Sequence, residues 1–461
     1  MRPRHALALD QGGSFLDIIA APEGGGPARI AKRPRAEATD LAAAIIDFCQ
    51  AERLTPARIT IATTLPANAI LTGTASPVVL ITTQGFEDLP DLGRQSRRDP
   101  DALDPPPPVP AWLSPPKLRF GLPGRIDARG VEVAPLDLTA LPALPDLPVA
   151  ACLLFAHRNP THERAVAAAL PRGTALSLSH RVDPETREFE RLLATMLDAS
   201  LKPLVARTLA PVGQALVAAG LPEPRFALAD GRAASPNEAL AAPLPLVLSG
   251  PAAGARAVAR WASDVPTAIG LDMGGTTAEV SLVRDGVALE TGSVTLGPLA
   301  FRLKALDVES LPIGGDALTP AARAAGWLPG DGNGDAGTLA IAEAMLAESL
   351  RRIALRRNIH PDLSLLVAGG GFGPLLAAAI AALIGCPRVL IPPCPGVMAA
   401  SGMLDTPPAL PAAWRCRNGT PFTGTAAGPL LLDDGTATAR IPAGWRASLR
   451  SDGALLLDRA A

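Results

Sequence analysis

Four acidic residues stand in two short segments that share one spacing of glycine and hydroxyl residues. In the later segment, Asp272 ends an apolar run, and Glu279 follows it after two glycines and two threonines. In the earlier segment, Asp10 and Asp17 have the same spacing around two glycines and a serine. Glycine leaves backbone N–H groups open to phosphate oxygens, hydroxyl groups add donors, and an aspartate at such a turn can hold Mg²⁺ through water. The turn residues that can bind phosphate are Gly12, Gly13, Ser14, Gly274, Gly275, Thr276 and Thr277.

Each segment has the pattern of a strand, a tight turn and a second strand. A single copy is equally typical of an ordinary glycine-turned hairpin. Two matching copies far apart in one chain favour two related lobes that face each other across a cleft. Strand-like and helix-like runs also alternate, as at 41–49, 59–64 and 77–83, which indicates an α/β architecture.

The bulk properties indicate a soluble, cytoplasmic protein. The chain has 461 residues, 48% of them apolar, and a net charge of −2, which gives no sign of binding to nucleic acid or to an anionic membrane. No apolar run reaches the roughly 18 residues of a membrane span, and Asp10 comes too early for a signal peptide. The five cysteines form no CxxC pair and fit a reducing compartment.

The paired hairpins resemble those of the superfamily that contains actin, the large heat-shock chaperones and the sugar kinases. This resemblance implies an α/β fold with two actin-like, ribonuclease H-like lobes around a nucleotide cleft. Residues 365–374 read as a strand that ends in a glycine-rich turn before a helix, which completes the three-part nucleotide signature of that superfamily. The turn glycines expected beside the adenosine are Gly369, Gly370, Gly371 and Gly373.

Further segments narrow the resemblance to one family, the hydantoinase A/5-oxoprolinase family. They follow the family's order along nearly the whole chain, at residues 63–68, 81–95, 105–116, 125–130, 249–254, 389–402 and 441–446. The resemblance implies an N-terminal hydantoinase/oxoprolinase region at 1–180 and a nucleotide-binding domain at 181–405. A short C-terminal β-module is expected at 406–461, because apolar and polar residues alternate there around glycines.

The family resemblance implies hydrolysis of a cyclic amide, such as 5-oxoproline or a hydantoin, driven by ATP through a phosphorylated amide. Asp10 and Asp272 would organise Mg²⁺, the turn residues of both hairpins would hold the phosphates, and Asp17 and Glu279 occupy the family's acidic positions. We therefore expect Asp10, Asp17, Asp272 and Glu279 to be the catalytic carboxylates, with ATP and Mg²⁺ as cofactors. The chain would act alone or as the A subunit beside a hydantoinase B-like partner, and it is compatible with a homo-oligomer.

Several positions depart from the family's pattern. Leu16 and Ala278 stand where the family commonly has threonine, and Glu279 replaces an aspartate. The glycine-rich turn at 313–318 and the loop at 325–334 are shortened, and such loops usually carry substrate contacts. Two alternatives therefore stay open, a diverged nucleotide-binding protein with weak or no hydrolase activity and a small-molecule kinase of the same superfamily.

Overall fold

The computed structural model describes residues 4–37, 40–96, 101, 103, 108–335, 337–411 and 414–459. Part of the proline-rich segment at 105–116, residues 105–107, lies outside the described residues. Within these ranges, no helix is both long enough and apolar enough to cross a membrane.

The secondary structure alternates helices and strands along most of the chain. In the described ranges, the α-helices are α1 (Leu41–Ala51), α2 (Leu65–Leu71), α3 (Leu89–Leu92), α4 (Thr161–Ala169), α5 (Ser179–Val182), α6 (Glu188–Ala218), α7 (Pro236–Ala241), α8 (Ser249–Trp261), α9 (Gly315–Ala324), α10 (Gly337–Arg356), α11 (Gly373–Ile384) and α12 (Met398–Gly402). The strands described there are β1 (Arg4–Gln11), β2 (Phe15–Pro22), β3 (Arg29–Pro34), β4 (Thr55–Thr63), β5 (Val79–Thr83), β6 (Arg119–Leu122), β7 (Arg125–Ile126), β8 (Glu132–Ala134), β9 (Val149–Cys152), β10 (Leu176–Leu178), β11 (Arg225–Ala227), β12 (Ala233–Ala234), β13 (Thr267–Met273), β14 (Ala278–Arg284), β15 (Val287–Ala288), β16 (Glu290–Leu296), β17 (Leu299–Leu306), β18 (Val308–Leu311), β19 (Leu365–Gly369), β20 (Arg388–Ile391), β21 (Arg415–Cys416), β22 (Thr425–Ala427), β23 (Leu430–Asp433), β24 (Thr438–Ile441), β25 (Trp445–Leu449) and β26 (Leu455–Arg459).

The first lobe is built on a sheet in the order β12-β11-β4-β1-β2-β3. Strand β1 lies between β2, which is antiparallel to it, and β4, which is parallel. Because both neighbours and the covering helix exclude water, Leu7 and Leu9 are buried together with Ile45 and Phe48 of α1. The Asp40 side chain accepts a hydrogen bond from the Ala43 N–H at the start of α1, which fixes where this helix begins.

The second lobe repeats this arrangement, with β13 between antiparallel β14 and parallel β19, followed by β20. The prediction of two related α/β lobes is therefore confirmed. The C-terminal strands β26, β25 and β22 continue the same sheet beyond β20. The three-stranded sheet β21-β23-β24 contributes Leu432 and Ile441 to the core of this lobe. The small C-terminal β-module is thus packed onto the second lobe and shares its core.

A second, parallel sheet is inserted into the first lobe between β4 and β11, in the order β10-β9-β5-β6. The 31-residue helix α6 joins the two parts. Its first half packs on the inserted sheet and on the β16–β17 hairpin, and its second half packs on the core of the first lobe. Pro203 and Pro211 lie inside this helix. The first lobe is therefore completed by β11 and β12, which follow the inserted sheet and α6 in the chain.

A buried ion pair connects α6 to α4, the helix that follows the inserted strand β9. Arg191 and Glu163 are both fully buried, with 3.7 Å between Arg191 Nη2 and Glu163 Oε1. The Glu163 carboxylate also accepts hydrogen bonds from the Leu153 N–H at 3.1 Å, from Ser179 Oγ at 2.5 Å and from the His180 N–H at 3.1 Å. One buried carboxylate therefore satisfies several donors.

Glu163→Ala should lower the free energy of unfolding by about 3–5 kcal/mol, because it leaves a buried guanidinium without its counter-charge. Urea denaturation followed by circular dichroism measures the loss. The matched control is Glu132→Ala, which removes a half-exposed carboxylate that contacts His162 Nε2 at 2.8 Å and should change stability much less. Equal losses in the two variants would contradict a structural role for the buried pair.

Candidate functional site

A cleft of about 490 Å³ lies between the two lobes and is lined by both glycine hairpins. The predicted site residues that line it are Asp10, Gly12, Gly13, Ser14, Asp17, Asp272, Gly274, Gly275, Thr276, Thr277, Glu279, Gly370 and Gly371. Gly369 and Gly373 are not among the lining residues. The fold thus brings the two distant hairpins to one place.

The two hairpins have the same internal geometry. Asp10 pairs with Asp17 across the β1–β2 ladder, and Asp272 pairs with Glu279 across the β13–β14 ladder. Each turn is closed by one backbone hydrogen bond, from the Gly12 N–H to the Phe15 carbonyl at 3.0 Å and from the Gly274 N–H to the Thr277 carbonyl at 3.1 Å. Each lobe therefore presents two carboxylates from neighbouring strands beside a glycine turn.

Helix α8 passes beside both aspartates. A methyl group on Gly250 would lie 2.9 Å from Asp10 Oδ1, and a methyl group on Gly254 would lie 2.9 Å from Asp272 Oδ2. Residues four apart share one face of a helix, so one glycine face approaches the carboxylates of both lobes. Any side chain at either glycine would press on a carboxylate.

The four carboxyl groups that line the cleft all have raised pKa values. Burial, together with the charges of Asp17 and Asp272, raises the pKa of Asp10 to about 7. Burial and the charges of Glu279 and Asp17 raise the pKa of Asp272 to about 7. Burial also raises the pKa of Glu279 to about 7, despite a hydrogen bond from Thr277 Oγ1 at 2.6 Å. Without a cation, the cluster holds protons near neutral pH.

Lys32 on β3 is the amine that faces this cluster. Its Nζ donates to Asp17 Oδ1 at 2.7 Å and to the Gly396 carbonyl of the second lobe at 3.0 Å. It also lies over the Phe15 ring, 4.6 Å from the ring centre. Burial raises the pKa of Asp17, and the Lys32 charge and hydrogen bond oppose that shift. Lys32 thus contacts both lobes at the edge of the cleft.

The residues present fit a hydrated magnesium ion. Asp10 Oδ1 is buried and has no hydrogen-bond partner, which leaves a carboxylate oxygen free to act as an acceptor. No group of three or more His, Cys, Asp or Glu side chains in the described ranges is close enough to enclose a metal. Mg²⁺ is typically held by one or two carboxylates and keeps several waters, so Asp10 and Asp272 can serve without further protein ligands.

The glycine-rich turn after β19 divides into two kinds of position. Gly370 has φ of +76°, and a methyl group there would lie 2.3 Å from the Met273 carbonyl oxygen, whereas Gly371 faces open space. A methyl group on Gly369 would lie 2.2 Å from Met398 Cε. One on Gly373 would lie 3.3 Å from the Leu271 carbonyl oxygen. Gly370 and Gly371 therefore form the cleft wall, while Gly369 and Gly373 allow close packing behind it.

Three charged residues line the cleft that were not among the predicted site residues, and they are Lys32, Asp316 and Arg323. Gly250 and Gly254 belong to the segment 249–254, whose small residues were expected to allow close backbone approach. Asp316, in the first turn of α9, accepts a hydrogen bond from Ser14 Oγ at 3.1 Å across the cleft. A methyl group on Gly275 would lie 2.5 Å from Asp316 Oδ2. A carboxylate therefore lies directly against both glycine turns. The aspartate of the shortened turn at 313–318 was visible in the sequence, but nothing local showed that it points at the first lobe.

Comparison with known proteins identifies relatives of this chain. The model of the hydantoinase/oxoprolinase N-terminal region matches residues 6–173, and the hydantoinase/oxoprolinase model matches residues 191–326 and 336–406. An uncharacterised protein of Methanocaldococcus jannaschii is 26% identical, over 87% of this chain and 72% of that protein. The caprolactamase subunit alpha of Pseudomonas jessenii is 28% identical over 69% of this chain, and the match spans 49% of that subunit.

Two solved structures have the same fold. The ATP-dependent caprolactamase from Pseudomonas jessenii superposes with a TM-score of 0.79 at 19% identity, over 99% of this chain and 100% of that chain. A nucleotide-free acetone carboxylase superposes with a TM-score of 0.79 at 14% identity, over the full length of both chains. At these identities the superpositions establish the two-lobed fold. The two family models follow one another in order and together span most of the sequence, so the chain belongs to the hydantoinase/oxoprolinase family.

Proposed function

We propose that this chain uses ATP to hydrolyse a cyclic amide, such as 5-oxoproline or a hydantoin-like ring. The observation that carries the proposal is the facing pair of glycine hairpins, each with a carboxylate at its turn, around one cleft. Family membership supports the reaction class, because a relative bears the name caprolactamase and a caprolactam is a cyclic amide. That relative is named as a subunit alpha, which supports a separate B-like partner for this chain.

Different residues of the cleft would bind the phosphates, the adenosine and the Mg²⁺ of ATP. The backbone N–H groups and hydroxyls of both hairpin turns would bind the phosphates. The adenosine would lie against Gly370 and Gly371, in the cleft that Arg323 and Leu328 also line. Asp10 and Asp272 would hold Mg²⁺, which neutralises charge on the transferring phosphoryl group. The cleft would thereby orient the γ-phosphate towards the substrate and limit the access of water.

Transfer of the γ-phosphoryl group to the amide oxygen would release ADP and make the ring carbon electrophilic. Water would then add to that carbon and the ring C–N bond would break, which leaves a free amine and an acyl phosphate. A second water would hydrolyse the acyl phosphate to a carboxylate and inorganic phosphate. Glu279 is the better of the two candidates for a base, because its pKa of about 7 lets it exchange a proton near neutral pH. Asp17 is engaged by Lys32 and would serve to hold that cation in place.

A second candidate function is nucleotide binding with weak turnover. The observation that favours it is Asp316, which accepts the Ser14 hydroxyl and lies over Gly275, where a phosphate would approach. Leu16 and Ala278 also lack the hydroxyl groups common in the family. On this alternative the bound nucleotide would have a regulatory or assembly role, and little ADP would form.

The first test measures ADP release by the purified chain with Mg²⁺ and ATP, with and without 5-oxoproline, hydantoin or caprolactam. A ring substrate should stimulate ADP release, and Asp272→Asn should reduce the stimulated rate by at least about 100-fold, because it removes charge from the phosphoryl-transfer site. The control Asp285→Asn changes an exposed aspartate in the turn after β14 and should leave the rate unchanged.

The outcomes of this test separate the candidates. Tight ATP binding without ring-stimulated turnover, with a B-like partner present, would favour the second candidate. Absence of ATP binding would contradict both candidates and the assignment of the cleft.

Gly254→Ala should weaken binding of Mg²⁺ and ATP by about tenfold or more, because the new methyl group would press on Asp272 Oδ2. Isothermal titration calorimetry measures the affinity. The control Gly213→Ala also replaces a helical glycine, but its methyl group would lie 3.4 Å from Pro236 Cγ, an ordinary contact. Alanine favours helix in both variants, so a similar affinity in the two would contradict the close approach of α8 to Asp272.

The metal-free chain should become less stable as the pH rises from about 4 to about 7. In the unfolded chain the carboxyl groups lose their protons near 3.8 for aspartate and 4.5 for glutamate, whereas Asp10, Asp272 and Glu279 keep theirs up to about 7 when folded. The folded state therefore binds more protons in this window, and stability is lost as they leave.

Thermal melting across this pH range, with and without Mg²⁺, tests that expectation. Mg²⁺ should reduce the dependence on pH because it replaces the protons. The variant Asp10→Asn/Asp272→Asn should flatten the profile of the metal-free chain. An unchanged profile in this variant would show that other groups cause the dependence.

A further inference from the structure

A second cavity, of about 430 Å³, lies on the other side of α8 from the nucleotide cleft. Ser249, Ala253 and Arg256 of α8 line it, whereas Gly250 and Gly254 of the same helix face the two aspartates. The Ser249 hydroxyl binds the backbone of Thr63 at the end of β4, which holds the start of α8 against the first lobe. The two cavities are therefore separated by one helix and have different linings.

The second cavity is lined by four arginines. Arg58 lies on β4 and Arg225 on β11, while Arg232 lies in the turn before β12 and Arg256 on α8. The acidic residue that lines the cavity with them is Asp405. The chain as a whole carries a net charge of −2, so this concentration of positive charge is local.

Two of these arginines have carboxylate partners and two do not. Arg58 forms an ion pair with Asp405, and Arg232 Nε lies 2.7 Å from Asp230 Oδ2. Arg225 donates to the Ala233 carbonyl at 2.5 Å, and Arg256 donates to the Gly231 carbonyl at 2.6 Å. In the part of the chain that the structure describes, no carboxylate lies within ion-pair distance of Arg225 or Arg256.

The main-chain contacts orient these two guanidinium groups without neutralising them. Each guanidinium has five N–H donors, so one carbonyl contact leaves most of them free for a ligand. Burial lowers the pKa of Arg260, the charge of Arg256 adds to that shift, and the charge of Asp405 opposes it. Like charges that converge in this way favour an anion between them.

We propose that the arginine-lined cavity is a binding site for a small polyanion that carries two or more carboxylate or phosphate groups. Guanidinium groups match both kinds of oxyanion through paired hydrogen bonds. A volume of about 430 Å³ lies in the range of cavities that enclose a small metabolite. The anion would bridge Arg225 of the first lobe to Arg256 of α8.

Calorimetric titration of the full chain with citrate and with pyrophosphate, in buffer of low ionic strength, tests the proposal. Citrate represents polycarboxylates and pyrophosphate represents phosphorylated compounds, so their relative affinities identify the preferred group. Arg225→Gln/Arg256→Gln should weaken binding of the preferred probe by about tenfold or more, because it removes two charge-assisted contacts. Added KCl should weaken binding to the wild-type chain through screening.

The matched control is Lys32→Gln/Arg323→Gln, which removes the same amount of charge from the nucleotide cleft. This variant should retain binding of citrate in the arginine-lined cavity. Glutamine keeps a donor towards the Ala233 and Gly231 carbonyls, and thermal melting checks that Arg225→Gln/Arg256→Gln folds. If the double variant does not fold, Arg225→Gln and Arg256→Gln are each titrated alone and should each weaken binding.

Three results would overturn the proposal. The first is that neither probe binds the wild-type chain at millimolar concentration. The second is unchanged binding in Arg225→Gln/Arg256→Gln. The third is a loss of binding only in Lys32→Gln/Arg323→Gln, which would place the anion in the nucleotide cleft.

Discussion

The mutual repulsion of carboxylates that both lobes place in one cleft is the constraint on which the rest of this structure depends. Asp10 and Asp17 from one lobe and Asp272 and Glu279 from the other line the same cleft, and each has a raised pKa. Such groups stay together only when rigid elements hold them and a cation or protons offset their charge. The two buried strands β1 and β13 supply the rigidity, and Lys32 supplies part of the charge.

Helix α8 limits where the two aspartates can lie. It lies against both aspartates through Gly250 and Gly254, where any larger side chain would displace a carboxylate. The same helix turns Arg256 towards the opposite side, where it helps to line the arginine-rich cavity. The distance between the lobes, the placement of the acidic cluster and the shape of the second cavity therefore all depend on one short helix made mainly of small residues.

The sequence predicted the parts of this arrangement that local patterns encode. Each hairpin is one continuous segment, so its aspartate, glycines and hydroxyl residues could be read together, and their repetition indicated two lobes. The small residues of 249–254 indicated a close approach of the backbone, but the contact of Gly254 with Asp272 depends on how α8 packs and could not be read from the sequence. Lys32 was missed because its partners are Asp17 in the next strand and Gly396 in the other lobe. The sheet of the first lobe also takes in β11 and β12, beyond the boundary predicted at residue 180, since the inserted sheet interrupts it.

Asp316 changes what the cleft can accept. With this residue, five carboxylates line the cleft in the described part of the chain, against the two cations Lys32 and Arg323. ATP itself carries several negative charges, so its approach to this lining without a metal would add repulsion to an already acidic site. In the function proposed above, a divalent ion held by Asp10 and Asp272 would offset both the protein's charge and the nucleotide's. On that proposal, Asp316 would make nucleotide binding depend more strongly on the accompanying metal than a neutral residue at this position would.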